Sequence, residues 1–281
     1  TILVSAIGEQ PIKGVNGNVK NMVALTVGEM LTNIIWCQID SIKNINCVAN
    51  WMWASIDKNN GWLLNEAVDT LVYYSNELGF SINGGKDSLS MKVKNNNEDI
   101  DAPNTLVLSG YTSIHGKSKL IKPNLKGANN LLILVRFDNF KGSLGNSAFS
   151  RFFNCNQNVP NFIQLDKFKN IFNIIQKLIK NGIILSGHDI SDGGLLTTLT
   201  EMSFSSIYGI NIDIRNIYLM EEYFFSEELG LVFEIDNSNF ELVSELFSEK
   251  NICIENIGLT TIDKEVIIKY NGNIVLDEKN D

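Results

Sequence analysis

Val23, Val27, Met30 and Ile34 recur at three- and four-residue spacing, and Leu25, Leu31 and Ile35 widen the stripe, which predicts a helix over 21–37. Its polar positions narrow to Thr26, Glu29 and Asn33. A helix that is apolar nearly all round is a buried one. Glu29 and Asn33 then either need partners inside the protein or lie on a strip that touches solvent. Before this helix, 1–6 reads as a strand or the end of one, and 8–20, with Gly8, Pro11, Gly14 and Gly17, reads as a loop.

Further along, 48–53 has strand character. Asn65 caps a helix running to Leu78, with Gly79 just past its end. Residues 80–82 and 89–93 read as strands around a Gly-rich loop at 84–88. A polar loop follows over 94–101, then a strand over 105–114 and a linker over 116–130 that contains Pro123. An apolar strand starts afresh at 131–137, which places a domain boundary near 127: residues 1–126 form one unit and 127–281 a second. In the second unit helices are expected over 144–153 and 166–180, the latter stopped by Gly182. Further strands follow at 209–214 and 229–235, with a helix or turn over 221–228 and a helix over 239–250. The chain closes with a hairpin, 265–270 against 273–277, across Asn271-Gly272, a pair suited to a type I′ turn. Strands and helices alternate in both halves, so the class is α+β or α/β, and no internal repeat is evident.

The stretch densest in candidate chemistry is Gly187-His188-Asp189-Ile190-Ser191-Asp192-Gly193-Gly194. The apolar run 183–185 leads into it as a strand, and 195–204 follows with helical spacing. Two carboxylates, a hydroxyl and two glycines therefore meet at a strand-to-helix junction. Glycines let backbone turn tightly, a helix start presents N–H groups and a positive dipole end to a phosphate, and carboxylates suit a hard cation such as Mg²⁺. The same residues also read as a plain capped turn, with Ser191 or Asp192 as the N-cap. Gly84-Gly85-Lys86-Asp87-Ser88 offers a second anion nest with Lys86 as its charge, or an ordinary turn. It lacks the spacing of a P-loop. The two histidines assemble no nucleophile triad: His115 reads as a surface turn residue, and His188 as orienting Asp189 or capping the turn.

Composition narrows the classes. The 281 residues are 44% hydrophobic and carry a net charge of −9, which argues against a nucleic-acid ligand. Cys37, Cys47, Cys155 and Cys253 are scattered with no C-x-x-C pair, so neither a zinc site nor a disulfide framework is indicated. A reducing, cytoplasmic setting fits, with no signal peptide and no membrane span. The chain opens on Thr1 rather than Met, as expected of a piece of a longer polypeptide.

Several segments stand in order: Gly8-Glu9-Gln10-Pro11-Ile12-Lys13-Gly14, the run 24–33, Ala49-Asn50-Trp51-Met52-Trp53-Ala54, the run 84–91, the run 187–194 and Glu227-Glu228-Leu229-Gly230. Together they resemble the second half of the synthetase region of the large phosphoribosylformylglycinamidine synthases, the formylglycinamide ribonucleotide amidotransferases of purine biosynthesis. The resemblance covers nearly the whole chain. It implies a fold like aminoimidazole ribonucleotide synthetase, with an N-terminal-type domain, a C-terminal-type α/β domain and a nucleotide between them. It implies an auxiliary ATP or ADP held with Mg²⁺, and no catalytic residue in this half. The metal ligands map onto Glu29, Asn33 and Asp189, and a nucleotide contact onto Ser191. Gly193, Gly194, Gly85, Lys86 and Ser88 are the further candidates for nucleotide binding. A further Mg²⁺ ligand of the family, an Asp, would fall before Thr1. The first synthetase half and the glutaminase domain, the implied partners, would precede and follow. The alternative is a self-contained ATP-using enzyme of the same superfamily, of the selenophosphate synthetase or thiamine-monophosphate kinase type. Such an enzyme needs catalytic carboxylates near its N-terminus, and none is evident before Glu29.

Overall fold

The computed structural model describes residues 1–95, 98–155 and 157–279. The chain runs β1 (Ile2–Glu9), a 3₁₀ segment (Pro11–Gly17), α1 (Val19–Ile34), β2 (Asn46–Met52), α2 (Lys58–Leu78), β3 (Ser81–Ser88), β4 (Lys92–Asn95), β5 (Glu98–Asp101) and β6 (Thr105–Ile114). It continues with β7 (Leu131–Arg136), α3 (Ala148–Phe153), α4 (Leu165–Asn181), β8 (Ile184–Ile190), α5 (Gly194–Phe204), β9 (Gly209–Ile214) and α6 (Met220–Phe225). Last come β10 (Gly230–Ile235), α7 (Phe240–Ser248), β11 (Ile254–Thr261), β12 (Glu265–Tyr270) and β13 (Asn273–Lys279).

A four-stranded sheet has the order β1-β6-β2-β3, and a seven-stranded sheet the order β13-β12-β9-β11-β7-β10-β8. Most pairs are antiparallel; β2–β3 and β12–β9 are parallel. Mixed helices and mainly antiparallel sheets make this an α+β fold. The strands of the smaller sheet all lie before Ile114 and those of the larger all after Leu131. Between them, Ile121 N donates to Trp36 O and Gly187 N to Lys122 O, so the connecting segment is stitched to both sides.

The long apolar helix is buried as its pattern requires: Met22, Val23, Val27, Met30 and Leu31 are inaccessible to solvent. One apolar cluster joins this helix to Phe168, Ile171, Phe172 and Ile175 of α4 and to Ile133 and Phe233 of the larger sheet. The close seat of β1 on α1 depends on Gly8, where a Cβ would stand 2.1 Å from Thr26 O and 2.6 Å from Met30 N. That glycine is therefore a contact, not the start of a loop, and the strand runs on to Glu9.

The structure departs from the sequence pattern in particular places. Gly84–Ser88 is not a loop: it is the second half of β3, paired in parallel with β2 through Val48↔Gly84 to Met52↔Ser88. An anion nest needs backbone that alternates between right- and left-handed conformations, and neither Gly84 nor Gly85 has a positive φ. The strand expected over 89–93 begins only at Lys92, and the polar loop expected over 94–101 holds the end of β4 and all of β5, two exposed strands paired antiparallel. Asp57 caps α2 by accepting from Asn59 N and Asn60 N, a full two turns before Asn65. Ser147 caps α3, which begins at Ala148 rather than at 144, and α6 stops at Phe225. β11 has a charged, exposed start (Glu255, Asn256) and a bulge, which hid it from a period-two reading. The closing hairpin forms as its Asn-Gly dictates, with Asn271 at φ 50 and Gly272 at φ 82.

Candidate metal and nucleotide site

α1 presents Glu29 and Asn33 one turn apart: Glu29 is half-buried and lines a small pocket with the β8–α5 turn, whereas Asn33 is exposed, meets β1 and does not line that pocket. The contact that brings the two elements together is Thr32: its Oγ1 donates to Glu29 O at 3.1 Å and lies 3.5 Å from Asp189 Oδ2. Asp189, the next-to-last residue of β8, is 5% exposed. A small pocket of about 10 Å³ is lined by Gln10, Glu29, Ser191, Asp192 and Glu227, with Leu25, Ile190 and Leu229 closing it. That is room for one water or one ion. A neighbouring cavity of about 110 Å³ shares Gln10, Asp192 and Glu227 and adds Lys13 and Arg151.

Carboxylates outnumber cationic groups in this corner, where Lys13 is committed to Glu227. Glu29 Oε2 accepts from Glu9 N at 2.7 Å and from Gln10 Nε2 at 3.1 Å. Burial nevertheless raises its pKa from 4.5 to about 7, with the charges of Asp192 and Asp189 adding to the rise. Among the described residues, no lysine or arginine stands within ion-pair distance of Glu29, Asp189 or Asp192. Asn33 Nδ2 donates to Ile7 O at 3.0 Å, which leaves its oxygen as an unused acceptor. His188 meets Asp189 Oδ1 at 3.2 Å and Glu201 Oε2 at 3.1 Å. Burial works against a charge on this imidazole, but its hydrogen bond to Asp189 and the two carboxylates outweigh that and raise its pKa.

The turn itself is built for shape. Gly193 and Gly194 both have positive φ (86 and 71), and a Cβ on either would strike Thr197 Oγ1 or Phe224 O. Gly193 is the N-cap of α5 with no side-chain cap, so neither Ser191 nor Asp192 caps the helix. Two successive left-handed residues delay the helix start, and Asp192 is left facing the cavities. The two glycine amides, however, are engaged: Gly193 N donates to Glu227 Oε1 at 2.9 Å and Gly194 N to Ser191 O at 3.0 Å.

Glu227 and Lys13, each inside a segment that carries the family resemblance but neither marked as a site residue by pattern, line these cavities. Glu227 Oε1 also accepts from Ala148 N at 2.9 Å, and its Oε2 is paired with Lys13, which donates to Asn146 O at 2.8 Å. Lys13 is 2% exposed. A lysine in a Gly- and Pro-rich segment reads as solvated, and no local signal marks it as buried; its partner lies 214 residues away.

Gly85, Lys86 and Ser88 do not line the pocket around Glu29. They sit on the exposed edge strand β3, where Lys86 Nζ donates to Ser88 Oγ at 2.6 Å and Asp87 O at 3.2 Å.

A Mg²⁺ ion fits the donor set. Every available group is a hard oxygen, the carboxylates repel one another, and Mg²⁺ binds through one or two carboxylates while keeping waters and phosphate oxygens. Among the described residues, no three His, Cys, Asp or Glu side chains form a metal cage by themselves. Also among the described residues, no helix is long and apolar enough to cross a membrane.

Two family models match the chain in tandem. One, described as the FGAR-AT PurM_N-like domain, matches residues 3–113; the other, AIR synthase related protein, C-terminal domain, matches residues 129–271, just over half of the chain. A probable phosphoribosylformylglycinamidine synthase of Arabidopsis thaliana, named as chloroplastic/mitochondrial, is 38% identical over 98% of this chain and 20% of its own length. The human phosphoribosylformylglycinamidine synthase is 32% identical over 98% of this chain and 21% of its own length. The chain thus spans about a fifth of the curated relatives it matches. Among solved structures, Thermotoga maritima PurL complexed with ATP superposes with a TM-score of 0.72 at 12% identity, over 99% of this chain and 43% of that one. The hydrogenase maturation protein HypE of E. coli superposes with a TM-score of 0.69 at 12% identity, over 100% and 85%. At these identities the structures report the fold alone. Both halves of the sequence match in the order the fold requires, and the chain belongs to the AIR synthase-related family; the curated relatives it resembles here are phosphoribosylformylglycinamidine synthases.

Proposed function

We propose that this chain is the part of a phosphoribosylformylglycinamidine synthase that holds an auxiliary Mg²⁺–nucleotide, ATP or ADP, and serves as scaffold rather than as catalyst. The division falls near residue 127, and Glu29, Asn33 and Asp189 supply the metal ligands. Ser191 and the Gly193-Gly194 turn face the phosphates; Gly85, Lys86 and Ser88 reach the nucleotide from β3. The reading rests on one observation: Glu29 of α1 and Asp192 of the β8–α5 turn line one small pocket, Asp189 meets α1 at Thr32, and among the described residues no lysine or arginine stands within ion-pair distance of these three carboxylates. Glu29, Asn33 and Asp189 would hold the Mg²⁺, which would supply positive charge beside the carboxylates and the phosphates. The pocket at Glu29 admits only an ion, so the nucleotide lies outside it with its phosphates toward Asp192 and Ser191. With both glycine amides engaged, the helix contributes its dipole and later amides to phosphate binding.

The parent enzyme is a ligase that amidates formylglycinamide ribonucleotide with glutamine and ATP, in the cytoplasm. Its first synthetase half and glutaminase domain are this chain's partners. One side of the small sheet is covered by α1, while the other carries the exposed Leu3 and Ile7 of β1, apolar positions that suit packing against such a partner. The likeness to HypE alone supports the second reading, a stand-alone ATP-using enzyme, and the tandem family match favours the first.

Turnover separates the two. Phosphoryl transfer needs an in-line acceptor and groups that stabilise charge in the transition state, and this chain offers Mg²⁺ ligands without an evident base. The purified chain is expected to bind Mg²⁺–ADP at least as well as Mg²⁺–ATP. It should release no phosphate when given formylglycinamide ribonucleotide, ammonia and ATP. Substrate-dependent phosphate release that Asp189→Asn abolishes would establish this half as catalytic and defeat the reading.

A further inference from the structure

Asp189 is gripped unequally at its two oxygens. Oδ2 makes only a 3.5 Å contact with Thr32 Oγ1, whose proton already goes to Glu29 O at 3.1 Å. Oδ1 faces His188 Nδ1 at 3.2 Å, and the same nitrogen lies 2.9 Å from Asp189 O. The far side of the ring is held too: His188 Nε2 stands 3.1 Å from Glu201 Oε2 on α5. Thr198 Oγ1, one turn into α5, donates to Asp189 O at 3.0 Å.

We propose that His188 and Glu201 are positioning residues for the cation site: Glu201 fixes the imidazole, the imidazole fixes Oδ1 of Asp189, and Oδ2 is thereby left aimed at the metal. The inference rests on the proposed Mg²⁺ site. A carboxylate that ligates a cation through one oxygen gains affinity when a donor holds the other, because its rotamer is set before binding. Partners of this kind change metal affinity by about 10–100-fold. Neither residue touches the metal or the nucleotide. The arrangement also ties the cation to α5 through the close contact of His188 with Glu201 and the hydrogen bond from Thr198 to Asp189 O.

The experiment is an Mn²⁺ titration, followed by the loss of the free-ion EPR signal in the presence of ADP, on the intact protein carrying this chain. Glu201 is 52% exposed, so Glu201→Ala leaves the fold intact, and melting in EDTA verifies that. Glu201→Ala and His188→Ala are expected to weaken the Mn²⁺ equivalent held by this chain about tenfold or more, and Asp189→Asn to remove that equivalent while leaving any bound by the other synthetase half. Glu201→Gln, which retains an acceptor for Nε2, stays within about threefold of the parent. If the parent binds Mn²⁺ and Asp189→Asn lacks that equivalent, yet Glu201→Ala and His188→Ala bind normally, the positioning role is wrong while the metal site stands. A loss for Glu201→Gln as large as that for Glu201→Ala also overturns it. Failure of the parent itself to bind Mn²⁺, or normal binding by Asp189→Asn, removes the metal site and this inference with it.

Discussion

Glu29 places a carboxyl half inside the protein, beside Asp189 and Asp192, and its pKa stands at about 7 against an ordinary 4.5. The linkage has a definite sign. A carboxyl whose folded pKa is raised holds its proton longer in the folded state, so stability falls as pH rises from about 4.5 to about 7 and stays lower above that. Glu29→Gln cannot titrate and is expected to flatten that part of the profile; thermal melts of both proteins across the window check it. A cation competes with the same proton. The rise in melting temperature that Mg²⁺–ADP brings should therefore be larger at pH 8 than at pH 6. An equal rise at both values would show that the metal does not use Glu29.

At the scale of elements, the Lys13–Glu227 pair joins pieces that pattern alone keeps apart. The 3₁₀ segment after β1, the start of α3, the Gly193 turn and the loop before β10 all end on one buried carboxylate. Breaking a buried pair from one side strands the other charge, at a cost of about 3–5 kcal/mol. Glu227→Gln is expected to destabilise by about that amount in urea unfolding, and Lys13→Met added to it should recover part of the loss. Additive losses would mean that the pair carries no coupling. The seat of β1 on α1 is equally exacting. Gly8→Ala puts a methyl into Thr26 O and should cost about 1–3 kcal/mol by the same measurement.

For the whole molecule, a ligand that binds only the folded state stabilises by mass action, by about 2.7 kcal/mol at a hundredfold excess over its dissociation constant. In a protein of this size that corresponds to about 5–10 °C in melting temperature. Mg²⁺–ADP is expected to produce such a shift in the parent chain and none in Asp189→Asn. The shared apolar cluster links both sheets through α1 and α4, so the gain should appear as one transition and not as the stabilisation of half the protein. Two separate transitions, with only one moved by nucleotide, would contradict that.

Local chemistry was enough for much of this chain. The 3.6-residue repeat of α1, the left-handed glycines after α2 and α4, the Asn-Gly hairpin and the strand at β6 each follow from neighbours a few residues apart. So does the attention drawn to Glu29 and Asn33, two polar residues on an apolar helix; pattern left open whether their strip meets solvent, and in the fold Asn33 does while Glu29 is half-buried. The tertiary structure decided the rest, because it turns on partners far apart in sequence. Gly84–Ser88 looks like a loop in isolation and becomes a strand only because β2 lies beside it, satisfying its backbone. Lys13 and Glu227 lie 214 residues apart, and only folding buries them together. Asp189 and Glu29 share an electrostatic field although 160 positions separate them, and no window along the chain contains both.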